Sequence, residues 1–130
     1  MNRVLLMGNL ARAVELRELG AGRVVGKTIL AVSRMRRGQR IGTDWVPITL
    51  WDRQAQAAAR YLDKGSRVAV EGRLHVDYVA VKGAESDVRR SRLAVEVIVD
   101  RITYLSSVRR SSDAPEDAAE ERPAGGRTGR

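Results

Sequence analysis

The sequence predicts an all-β domain with one short helix, closed as a five-stranded, partly open barrel, and three observations carry that prediction. Long runs alternate apolar and polar residues with period two. One helical stripe interrupts them after the third run. No segment has the pattern of a crossover helix between parallel strands, so the strands are expected to pair mainly as antiparallel neighbours.

Arg3 to Leu10 is the first β-rich run, with a bend or bulge expected at Gly8-Asn9. Glu15 to Leu19 reads as a short continuation of it before the turn Gly20-Ala21-Gly22. Arg23 to Met35 is a long second run whose apolar face changes near Gly26, as in a coiled strand that serves two sheets. Arg36 to Gly42 is a polar, basic loop. Asp44 to Trp51 is the third strand, and Pro47, lacking an N–H, places part of it at an edge or bulge. Asp52 is a suitable N-cap, and Ala55, Ala58, Ala59 and Leu62 form one apolar stripe of a helix that stops at Lys64-Gly65. Arg67 to Ala80 alternates again, with Val68, Val70, Leu74, Val76 and Tyr78 on one face. A loop from Val81 to Arg90 leads to a last strand, where Leu93, Val95, Val97 and Val99 face inward and the run continues through Ile102 and Tyr104. Strand, strand, strand, helix, strand, strand is the element order of the OB-fold; an SH3-like barrel would lack the helix. Residues 1–105 form this domain. Residues 106–130, rich in Ser, Ala, Pro, Gly, Glu and Arg, bury too little apolar surface to offset ordering entropy and are expected to be disordered.

The third strand carries the first functional signal. Side chains alternate faces along a strand, so Trp45, Pro47, Thr49 and Trp51 share one side while Val46, Ile48 and Leu50 point to the core. The chain has only two Trp, three Tyr and no Phe, so having both indoles on the non-core face is an uneconomical use of aromatics if they serve only the fold. Flat apolar rings held outward form a stacking platform for nucleobases, or else cover a subunit interface.

Charge favours the first reading. The formal net charge is +8, from 24 Lys+Arg against 16 Asp+Glu. Residues 107–130 carry five basic and five acidic groups, so the whole excess sits on the predicted domain. A compact basic domain is the footprint of a polyanion binder, and no basic amphipathic helix points to a membrane surface instead. All but three of the basic residues are arginines, which grip phosphate bidentately and stack on bases.

Other classes of function find little here. With no Cys, the chain has no disulfide, thiolate nucleophile or Cys-based zinc site. The lone His75, beside Arg73 and Asp77, has no second His for a metal site, and the serines have no triad partner. No catalytic residue, metal or cofactor is expected. Gly20 to Gly26 has a dinucleotide-like run of glycines, but a strand follows rather than a helix, so it is a turn. There is no run of about 18 apolar residues and no secretory N-terminus, so a cytoplasmic, nucleoid-associated protein is expected.

Four motifs in order resemble the bacterial single-stranded DNA-binding protein family: Asn2 to Leu10, Thr43-Asp44-Trp45 leading to Leu50-Trp51, Tyr61 to Ser66, and Val70 to Leu74. The resemblance covers roughly residues 1–105. It implies an OB-fold that binds single-stranded DNA with little sequence preference, usually as a homotetramer, in replication, recombination or repair. Trp45, Trp51 and Tyr78 fall at positions where the family places base-stacking aromatics; Tyr78 also reads as core or barrel rim. The loop after the second strand offers no aromatic, so its contact is electrostatic or made by Met35. Arg34, Arg36, Arg37 and Arg40 form the leading phosphate track, with Arg73, Arg89, Arg90 and Arg92 as further candidates. The family's acidic tip with a short hydrophobic end is absent, since the sequence finishes Arg127-Thr128-Gly129-Arg130. Recruitment of replication or repair enzymes is therefore not expected, and a paralogue specialised for covering DNA fits. The alternative is an OB-fold interaction module, or an auxiliary primosome-like protein, whose tryptophans pack a subunit interface.

Overall fold

The structure is a computed structural model and describes residues 1–81 and 91–106. Its elements are β1 (Val4–Leu10), β2 (Glu15–Gly20), β3 (Arg23–Arg36), β4 (Gln39–Trp51), α1 (Asp52–Tyr61), β5 (Arg67–Ala80) and β6 (Ser91–Ser106). The hydrogen-bonded order β1-β5-β6-β4-β3 closes on itself because β3 also pairs with β1, at Asn9↔Ala31 and Leu10↔Leu30. One contact in the circuit is parallel, β4 with β6 at Ile48↔Val97 and Thr49↔Ile98. This is the predicted OB barrel. Its first strand is broken after Leu10, and the second piece, β2, lies alone against β3 at the sheet edge.

Alternation sets the interior. Leu10, Leu30, Ile48, Leu50, Val68, Val70, Val97 and Val99 fill the barrel, and α1 closes one end with Ala55 and Ala58, joined by Leu62 just past its C-terminus. Small alanines let α1 lie close: a Cβ at Gly26 would stand 2.8 Å from Val14 Cγ1 and 3.0 Å from Ala55 Cβ. Gly26, suspected of marking a change of face, is thus the floor under the helix. Gly8 does not make a bend. It pairs regularly with Val68 and lies where a Cβ would collide with the Ala31 carbonyl oxygen of β3.

Three local expectations are corrected. Arg36 to Gly42 is no loop: β3 and β4 run on as a hairpin arm whose turn, Arg37-Gly38, has both residues at positive φ (50° and 81°). Adjacent left-handed residues are the geometry of a tight type I′ hairpin turn. Asp52 does not cap α1; with φ of 52° it turns its carboxylate back to Arg23 and the Val24 N–H. Leu74, Val76, Leu93 and Val95 keep the predicted face but lie beyond the barrel's end, 43–54% exposed, because β5 and β6 project as a long hairpin. On β6 the register shifts opposite Glu71/Gly72, leaving Asp100 without a ladder partner. That bulge changes parity, so Ile102 rather than residue 101 follows Val99 against the core.

Candidate nucleic-acid interface

β4 presents its outer face as the alternation requires. Val46, Ile48 and Leu50 turn inward, and Trp45 stands 64% exposed opposite Ala31, too small to cover it. Pro47 is exposed one residue before β4 begins to pair with β6, so its missing N–H leaves no gap in that ladder. Trp51, opposite the buried Val25, is mostly covered. The Arg23 guanidinium lies 5.2 Å from its ring centroid. Arg23 is oriented by Asp52, whose two carboxylate oxygens each accept from Nε at 3.0 Å. That hydrogen bond, aided by the Val24 N–H, holds the Asp52 carboxyl below its ordinary range. The two platforms therefore differ: Trp45 is open and Trp51 is covered.

The hairpin arm carries the predicted arginine cluster, but its members are unequal. Arg34 donates to Asp44 through Nε at 3.1 Å and through Nη2. This bond, then the Asp44 charge, raises the Arg34 pKa further. Arg40 donates to Thr43 Oγ1. Arg36 and Arg37, at the tip, are exposed and make no side-chain bond among the described residues. Met35 is also open at the arm, 56% exposed.

Across the sheet Glu96 joins β6 to this face. It accepts from Thr49 Oγ1, lies 3.0 Å from His75 Nδ1, and pairs with Lys27 Nζ at 3.4 Å. Thr49 and Lys27 share the tryptophan side of β4 and β3, so the His75 face of the β5–β6 hairpin continues it. Arg73, 3.5 Å from Asp100, and exposed Arg92 lie on that face by alternation. Arg89 and Arg90 fall outside the described residues. Burial works to raise the Glu96 pKa, but the bonds from Thr49, His75 and Lys27 outweigh it and leave it lowered. A lowered carboxyl stabilises the fold above its unfolded pKa, and that contribution is lost as pH falls through the folded value. Glu96→Gln is therefore expected to flatten the decline of melting temperature below about pH 4.3, measured by acid titration of thermal unfolding against the parent protein.

Tyr78 departs from the other aromatics. It is 70% exposed, but alternation places it opposite the His75 side, with Leu74, Val76, Leu93 and Val95. The structure does not bring it together with Trp45 and Trp51.

The sequence profile described as "Single-strand binding protein family" matches residues 1–105. The chain belongs to the single-strand binding protein family. Among curated relatives, the Single-stranded DNA-binding protein of Treponema pallidum (strain Nichols) is 34% identical over 123 residues, covering 90% of this chain and 65% of that protein. The one from Clostridium tetani (strain Massachusetts / E88) is 32% identical, covering 81% of this chain and 70% of its own length. Single-stranded DNA-binding protein B of Bacillus subtilis (strain 168) is 32% identical, covering 80% of this chain and 89% of its own. Within this member of the family, sequence reasoning missed Arg23 and the Glu96 junction. Arg23 meets Asp52 across 29 residues, and Glu96 meets Lys27 across 69, separations at which local pattern carries no signal.

Proposed function

We propose that this protein binds single-stranded DNA with little sequence preference, covering it during replication, recombination or repair. One observation carries the reading: a 64%-exposed indole, Trp45, on the face of a barrel strand that runs on into an arginine-bearing arm. Stacking on an indole suits any base, since every base has a π-face. Trp45 gives the primary stack and Trp51 the second. Arg36 and Arg37 hold phosphates from the arm tip, where no carboxylate among the described residues competes for them; Arg34 and Arg40 shape the arm, and Arg73 and Arg92 extend the track. Tyr78 belongs instead to an apolar face with Leu93 and Val95, which supports a homo-oligomer, a tetramer by family resemblance.

Titration with oligothymidylate, followed by tryptophan fluorescence at two salt concentrations, tests this. Strong quenching and a steep loss of affinity with salt are expected. Indoles indifferent to the oligonucleotide, with emission that changes on dilution of the protein, would point to a subunit interface instead. The Arg36→Ala/Arg37→Ala variant should lower the slope of log affinity against log salt by about 1.4, at roughly 0.7 per phosphate of a single strand. An unchanged slope would remove the arm tip from the phosphate path.

A further inference from the structure

The function above leaves Arg23 unused, although it touches one of the two indoles. Its guanidinium is held at two points. Asp52 fixes Nε with both oxygens, and the carbon between the nitrogens lies 5.2 Å from the Trp51 centroid. A base stacking on that face needs the space the guanidinium fills, because stacked groups occupy the ring's own van der Waals surface. Nor is Arg23 well placed to act as a phosphate cation. Its charge is compensated by a carboxylate already in contact, and Asp52 is anchored in turn by the Val24 N–H at 3.0 Å. Trp45 has no such cover among the described residues.

Resting on the stacking role proposed for Trp51, we propose that Arg23, positioned by Asp52, is a latch over Trp51 that a nucleotide must displace before it stacks there. Trp45 is then the entry contact. Trp51 is engaged second, by a strand long enough to reach about 20 Å along β4 at a strand rise of roughly 3.3 Å per residue. Arg23 thus sets how strongly short and long strands are distinguished. It is a positioning residue and makes no phosphate contact.

The test uses the full chain and oligothymidylates of two lengths, one too short to span both indoles. Arg23→Ala is expected to bind the long oligonucleotide about two- to five-fold more tightly, the fold-change that corresponds to losing an exposed cation–π contact. Its salt slope should match the parent's, although a positive charge has been removed. The gain should vanish in Arg23→Ala/Trp51→Ala compared with Trp51→Ala alone. Arg23→Gln keeps the aliphatic stem and should show the same gain if the alanine variant folds poorly. Weaker binding with a slope smaller by about 0.7 would make Arg23 a phosphate contact and overturn the latch. A gain that persists without Trp51 would overturn it as well. Failure of the stacking reading itself looks different: parent protein whose fluorescence no oligothymidylate changes, which removes latch and platform together.

Discussion

Trp45→Ala is expected to weaken oligothymidylate binding by about 1–3 kcal/mol, roughly a five- to 150-fold rise in Kd, while leaving the fold intact. The two halves of this result have separate causes. Trp45 is 64% exposed and faces Ala31, so truncating it opens no cavity in the barrel. Its apolar surface is already in water in the free protein, and its value is realised only when a base covers it. Thermal unfolding should therefore move little, and the loss should appear in the binding isotherm. Trp51→Ala should cost less binding, because the Arg23 contact must first be broken, and more stability, because the ring is mostly covered. Fluorescence anisotropy of labelled oligothymidylate with each variant, alongside calorimetry, measures both halves. Equal affinity for Trp45→Ala and the parent would remove this indole from the site.

Gly72→Ala is the second substitution of large expected effect, here on stability. A Cβ at Gly72 would collide with the Ile98 carbonyl oxygen, and the obstacle is backbone rather than a movable side chain. Gly72 lies beside the Asp100 bulge, where β6 changes parity and bends over β5. Relief requires β6 to move away, which disturbs Val97 and Val99 in the core and the two-residue pairing that joins β6 to β4. A loss of about 3 kcal/mol or more is expected, which for a domain of this size lowers the melting temperature by roughly 12–24 °C. A shift of only a degree or two would show that β6 yields easily at this point.

Much of this architecture was legible from residue order. Strict alternation in β4 identified Val46, Ile48 and Leu50 as core and Trp45 as outward, because one buried face fixes the register of every side chain. The helix was legible because Ala55, Ala58 and Leu62 recur at helical spacing. What escaped has physical reasons. The hairpin arm carries no core residue, so its strands show no alternation, and two residues at positive φ turn the chain where a longer loop was expected. The parity of Tyr78 was readable, but not that the barrel ends before it. A strand shows which way a side chain points and not whether another layer waits there, so Leu93 and Val95 read as inward, and Leu74 and Val76 share the face of Val68 and Val70, where the barrel stops short of all four. Asp52 has the composition of a cap, yet a carboxylate beside an arginine finds a stronger partner than its own helix amides.

No aromatic side chain is fully buried in the barrel among the described residues: Trp45, Tyr61, Tyr78 and Tyr104 are each at least 39% open to water, and Trp51 is mostly but not fully covered. Ultraviolet optics applied to this molecule will therefore watch its skin. Melting the barrel should change the share of emission and near-ultraviolet dichroism that comes from Trp51 and barely alter that of Trp45, whereas occupancy of the outer face should alter the Trp45 share. Spectroscopists accustomed to taking indole emission as a gauge of folding would find the Trp45 signal a gauge of ligation, with Trp51 and the amide signals left to follow the fold.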